Sequence, residues 1–172
     1  SYDIVREGEV TEVRRDITDL FDDRTVEADD LPEAIVVDEL RLRQILVNLT
    51  SNAIKFTESG HVKIKATSEP TSEGTTVRFA VEDSGIGIPA DQQDKVFGAF
   101  EQTTGQSAAK FGGTGLGLAI SKRLAQMMNG DITLTSEVGT GSTFTVELRD
   151  LAVVSSDELA SLDDDAAEIA RV

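Results

Sequence analysis

Between Thr75 and Asp83 the chain alternates, with Val77, Phe79 and Val81 on one side and Arg78, Ala80 and Glu82 on the other. That two-residue period predicts a half-buried strand. His61–Glu69 reads as its partner, the two joined across the turn residues Pro70–Gly74 as a hairpin. Upstream, Leu42, Ile45, Leu46, Leu49, Ala53 and Phe56 recur at helical spacing. They predict a helix from an Asp38 N-cap to Phe56, closed by Thr57-Glu58-Ser59-Gly60. Asn48, Asn52 and Lys55, at i, i+4 and i+7, form a second face of that helix beside the apolar stripe.

The remaining segments are shorter. Val10, Val13, Ile17, Leu20 and Phe21 predict an amphipathic helix over 10–22, then a short strand near Thr25–Ala28. Leu31-Pro32 is a break and Ile35-Val36-Val37 a short buried strand. Pro89 and Asp91 start a short helix carrying Val96 and Phe97, with Phe100 just beyond. Residues 101–114 lack periodicity, and a loop of that length in a compact domain is expected to be a lid or disordered. Leu116, Leu118, Ala119, Leu124 and Met127 pattern another helix ending at Asn129-Gly130. Ile132 and Leu134, then Phe144, Val146 and Leu148, mark two strands around a tight turn, Gly139-Thr140-Gly141. The expected fold is a two-layer α/β sandwich, a mixed and mostly antiparallel sheet with helices on one face. Residues 1–150 read as one domain. Residues 151–172 read as an acidic tail, either a linker or a weak helix on Leu159, Leu162 and Ile169.

Composition narrows the chemistry. The 172 residues include no cysteine, which excludes a disulfide framework and a thiolate metal site. No apolar run reaches the length of a membrane span and no signal peptide is visible, so the expected setting is cytoplasmic, with the parent protein free to be membrane-anchored. The net charge of −16 gathers at the ends. Residues 1–31 hold eleven acids against four bases, and residues 150–172 seven against one. Nucleic acid is a poor partner for such a surface.

The two glycine clusters, Asp83-Ser84-Gly85-Ile86-Gly87 and Gly112-Gly113-Thr114-Gly115-Leu116-Gly117, carry the chemistry. The first follows a strand and the second opens a helix. Glycines let backbone N–H groups approach a ligand, and a helix N-terminus suits phosphate. A strand-end carboxylate and a glycine nest make the two ends of a nucleotide site. The common fingerprints are absent: there is no Gly-Lys dipeptide for a P-loop, and Leu118 stands where a Rossmann motif needs glycine.

The ordered motifs resemble those of sensor histidine kinases. Asn48–Phe56 is similar to their N box, Asp83–Pro89 to the G1 box, Val96–Phe100 to the F box and Gly113–Leu118 to the G2 box. Gly139–Phe144 is similar to their last shared turn and strand. The resemblance runs from about Gly8 to Leu148 and is to the catalytic ATP-binding domain, of the Bergerat fold and the GHKL superfamily. The interval from Phe21 to Leu31 is shorter than the family's usual spacing.

The resemblance implies ATP and Mg²⁺ as ligands. Asn52 would give its amide oxygen to Mg²⁺, supported by Asn48, with Lys55 meeting the phosphates. Phe56 would lie beside the adenine and Asp83 would accept from its exocyclic amine. Thr143 would reach the same edge through water. Gly85, Gly87 and Ile88 would line the base, and Gly113, Thr114, Gly115, Leu116 and Gly117 would wrap the phosphates, with Lys110 a further phosphate contact from the lid. Asn48 stands where hydrolytic superfamily members place a water-activating glutamate, and an amide cannot take a proton. The implied activity is therefore transfer to a histidine on a separate, dimeric helical-hairpin domain, with a response-regulator receiver domain next in the relay. His61, the one histidine, lacks the surroundings of a phosphoacceptor. A non-catalytic nucleotide-binding or docking module, and a serine kinase of the anti-sigma type, fit the same boxes.

Overall fold

The computed structural model describes residues 3–6, 9–12, 26–29, 31–32, 34–98 and 116–155. In order, its strands are β1 (Asp3–Arg6), β2 (Glu9–Glu12), β3 (Val26–Asp29) and β4 (Ala34–Val36). Helix α1 (Glu39–Phe56) leads into β5 (Val62–Thr71) and β6 (Gly74–Asp83). Then come the single turn α2 (Ala90–Gln93), helix α3 (Gly117–Met127), β7 (Gly130–Glu137), β8 (Gly141–Leu151) and β9 (Val153–Val154).

The main sheet has five strands in the order β3-β5-β6-β8-β7. Only β3 and β5 run parallel; the other neighbours are antiparallel. Register explains its buried face. Ile64, Val81, Phe144 and Leu134 lie across from one another in one row, and Ala66, Phe79, Val146 and Ile132 in the next. Leu42, Ile45, Leu46, Leu49 and Ala53 of α1 and Ala125 of α3 join the same core, so both helices cover one face. Burying each large side chain there contributes about 1.5–3 kcal/mol. This is the mixed, mostly antiparallel sandwich that the sequence predicts.

Helix α1 begins as expected. The Asp38 carboxylate accepts from the Arg41 N–H at 3.0 Å, satisfying one orphan donor of the first turn. At the other end the Thr57 hydroxyl donates to the Ala53 carbonyl at 2.7 Å. Helix α3 stops where Asn129 takes a left-handed φ of 58°.

Several local expectations change. Residues 10–12, expected at the start of a helix, belong instead to β2, antiparallel to β1. The spacing of Val10 and Val13 alone does not separate the two periods, and β-branched Val10 and Thr11 favour extended backbone. The rest of that predicted helix lies outside the described residues. Strands β5 and β6 extend further than expected, leaving only Ser72-Glu73 between them. Helix α2 ends at Gln93, so Val96 and Phe97 follow it in turns instead of riding on it.

A second, four-stranded sheet, β2-β1-β4-β9, was not anticipated. Leu151 is buried in the core, and Val153 and Val154 pair with Ile35 and Ala34. Ordered pairing therefore continues past residue 150. Among the described residues no helix is long and apolar enough to cross a membrane.

Candidate functional site

One further row lies beyond the apolar ones on the buried face of the main sheet: Val62, Asp83, Ser142 and Ser136. The hydrophobic alternation of β6 continues to Asp83 and places a carboxylate where the next apolar residue would fall. Asp83 is 7% exposed. Burial raises its pKa above the usual carboxylate value, partly offset by the N–H groups of Gly85 and Ser142. The Gly85 N–H donates to Oδ1 at 2.9 Å.

The glycines bring the neighbouring elements close. A Cβ on Gly85 would stand 2.4 Å from the Phe56 carbonyl oxygen, so the end of α1 and the turn after β6 touch backbone to backbone. Ser84 fastens the same junction: its N–H donates to the His61 carbonyl at 3.1 Å, and its hydroxyl accepts from the His61 N–H at 2.8 Å. Gly87 has φ +72°, and a Cβ there would meet the Glu137 carbonyl oxygen at 2.1 Å. A Cβ on Gly117 would reach Asn48 Oδ1 at 2.5 Å. Helix α3 therefore starts directly against the asparagine face of α1.

On that face, Asn48 Nδ2 donates to the buried Ser121 hydroxyl at 2.9 Å. Asn52 is partly exposed one turn on, and the Lys55 ammonium lies 5.5 Å from the Phe56 ring centroid. Leu116 is the N-cap residue immediately before α3. The first turn of α3 thus meets α1 at Asn48, and the turn after Asp83 meets it at Phe56, so both border the C-terminal half of α1. Lys110, Gly113, Thr114 and Gly115, the lid and Phe100 lie outside the described residues.

The loop after Asp83 is anchored by residues the sequence reading missed. Ile88 donates its N–H to the Ser136 hydroxyl at 2.7 Å. Gln93 Nε2 donates to the carbonyls of Ile88 and Ser136, both at 2.9 Å. Ile88 also packs against the core. Phe97 meets Phe144 edge-on at 6.1 Å, and the Lys122 ammonium sits 4.6 Å above the Phe97 ring. Lys122 also reaches Asp131 at 2.8 Å.

Thr143 requires a correction. It pairs with Glu82 and Thr135, one step out of phase with Asp83, and so stands on the other side of the sheet. Ser142, paired with Asp83 itself and 7% exposed, is the residue of this turn that shares the Asp83 side of the sheet. The strict alternation of Phe144, Val146 and Leu148 carried that signal. His61 is exposed, with its ring 3.4 Å from Glu82.

No cluster of His, Asp or Glu able to hold a metal occurs among the described residues. A hard cation here would depend on amide oxygens together with phosphate oxygens of a ligand. Asn48 and Asn52 fit Mg²⁺ chemically, since that ion takes oxygen ligands and rests largely on substrate phosphates.

Residues 37–152 match the model of the family described as histidine kinase-, DNA gyrase B- and HSP90-like ATPases. The chain belongs to that family. Aerobic respiration control sensor protein ArcB of Escherichia coli is 48% identical over 136 residues, covering 78% of this chain and 17% of ArcB. Histidine protein kinase 1 of Candida albicans is 50% identical over 117 residues, 67% of this chain and 5% of that protein. Histidine kinase 5 of Arabidopsis thaliana is 41% identical over 165 residues, 83% of this chain and 18% of that protein. The chain thus spans less than a fifth of each of these relatives. Full-length ShkA, solved in complex with AMPPNP, superposes with a TM-score of 0.66 at 37% identity, over 83% of this chain and 30% of that one. The mycobacterial sensor histidine kinase MprB shares the fold, with a TM-score of 0.53 at 20% identity over 76% of this chain and 85% of that one.

Proposed function

We propose that this chain is the nucleotide-binding half of a histidine kinase, which binds Mg²⁺–ATP and presents its γ-phosphate to a histidine on a separate, dimeric helical hairpin. The observation that carries the reading is the contact of α3 with Asn48 and of the turn after Asp83 with Phe56, both on the C-terminal half of α1. Asp83 accepts from the exocyclic amine of adenine, and its burial makes an unpaired base edge costly. Asn52, with Asn48 beside it, holds Mg²⁺, which when bound neutralises charge on the phosphate oxygens. Lys55 adds a point charge to the phosphates. The start of α3 at Leu116 and Gly117 directs its N–H groups at them. The motif resemblance adds Lys110, Gly113, Thr114 and Gly115 as further phosphate contacts.

Because Asn48 has no proton-accepting group, the site aligns a phosphoryl group without activating water. The accepting histidine comes from the partner hairpin, and a receiver-domain aspartate is the next acceptor. The names of the relatives, sensor proteins and histidine kinases, support this placement. Calorimetric titration with a non-hydrolysable ATP analogue, with and without Mg²⁺, tests the binding. Affinity is expected to need the metal and to fall in Asn52→Ala and Asp83→Ala. Equal binding by all three proteins would reject the site.

A further inference from the structure

The Ser136 hydroxyl makes three hydrogen bonds with one proton to give. It accepts the Ile88 N–H at 2.7 Å and lies 2.9 Å from both the Gly141 carbonyl oxygen and the Ser142 hydroxyl. A carbonyl oxygen can only accept, so the Ser136 proton goes to Gly141. The Ser142 hydroxyl must then donate its own proton to Ser136. What Ser142 has left is acceptor lone pairs, in the same row of the sheet as the Asp83 carboxylate. Ser136 is itself fixed, since Gln93 Nε2 holds its carbonyl and that of Ile88.

We propose that Ser136 is a positioning residue for purine selection: it holds the Ser142 hydroxyl as an acceptor beside Asp83, so that this end of the site takes only a base edge that donates. The inference rests on reading the site as one for adenine nucleotides. Adenine presents an amine at its six-position, whereas hypoxanthine presents a carbonyl oxygen there. The amine carries two protons, one for Asp83 and one for Ser142, so two acceptors aimed at the six-position favour the first base and repel the carbonyl of the second. The neighbouring ring nitrogen, an acceptor in adenine and an N–H in hypoxanthine, lies outside this pair. Without Ser136, the Ser142 hydroxyl is free to turn and donate, and the carbonyl of hypoxanthine becomes tolerable.

The test is titration of this chain with ATP and with inosine triphosphate, both with Mg²⁺, in the wild type, Ser136→Ala and Ser136→Thr. The wild type should prefer ATP. In Ser136→Ala the preference should narrow about tenfold, the scale of one hydrogen bond reversed in sign. Ser136→Thr, which keeps the hydroxyl, should restore it. A purely structural role for Ser136 would weaken both nucleotides alike and leave their ratio unchanged, and that result overturns the inference while sparing the nucleotide site. Should Ser136→Ala fail to fold, Ser142→Ala removes the acceptor and leaves the Ile88 anchor in place. Its ratio must also narrow, and an unchanged ratio overturns the inference. A wild type that binds neither nucleotide overturns the adenine reading, and this inference falls with it.

Discussion

The Asn48 side chain donates to the Ser121 hydroxyl at 2.9 Å across 73 residues of sequence, tying the asparagine face of α1 to the buried side of α3. The helix that should hold the metal and the helix that follows the glycine nest are thereby set against each other. Ser121→Ala leaves the Asn48 amide without this partner in a half-buried position. Stability should fall by about 1 kcal/mol, and Mg²⁺-dependent affinity for an ATP analogue about fivefold. Thermal melting and calorimetric titration check the two effects.

Gly85 and Gly117 should respond differently to alanine because their neighbours differ. At Gly117 the added Cβ meets the end of the Asn48 side chain, which can swing away. Because that movement gives up the Asn48–Ser121 bond, Gly117→Ala should cost binding about tenfold with about 1 kcal/mol of stability. At Gly85 the added Cβ meets the Phe56 backbone carbonyl, which has nowhere to go. Gly85→Ala should lose about 2–3 kcal/mol of stability. Denaturant melts beside analogue titrations separate the two patterns.

Burial raises the Asp83 pKa in the folded chain. Between the unfolded and folded values the native state holds more protons, so stability falls as pH rises through that window. Asp83→Asn removes the charge to be buried. It should flatten this part of the stability–pH curve and raise the melting temperature at neutral pH, while weakening the ATP analogue. Melting curves across the acid range, with and without the analogue, check both signs.

Ser142 and Thr143 are neighbours in sequence on opposite faces of β8. Ser142→Ala should lower affinity for the ATP analogue several-fold, and Thr143→Ala should leave it within about twofold, in line with a surface change away from the site. The reverse order would mean that β8 pairs one residue out of register.

The sequence showed most clearly what one periodic segment can encode. The stripe from Leu42 to Phe56 marked α1 and its asparagine face, and the alternation from Val77 marked Asp83 as the end of a buried row. What it hid depends on pairing between distant segments. β1, β2 and β9 are two to four residues long, and β1 and β9 join their sheet through β4, distant from both in sequence, so none carries enough period to stand out. Ser136 and Ser142 matter because β7, β8 and β6 place them in one row with Asp83. A shift of one residue would send all of them to the other face. Which of Ser142 and Thr143 faces the Asp83 side follows only from that register. Gln93 and Ser121 are ordinary polar residues until the loop they hold or the helix they face is known.

Phosphoryl transfer from γ-labelled ATP is the most direct measure of the central claim. This chain is incubated with Mg²⁺, with and without a dimeric helical hairpin bearing the accepting histidine. Label should appear on that histidine only when both proteins are present, with little inorganic phosphate released by the chain alone and loss of transfer in Asn52→Ala. Rapid release of phosphate by the chain alone, or label carried on serine, would contradict the account.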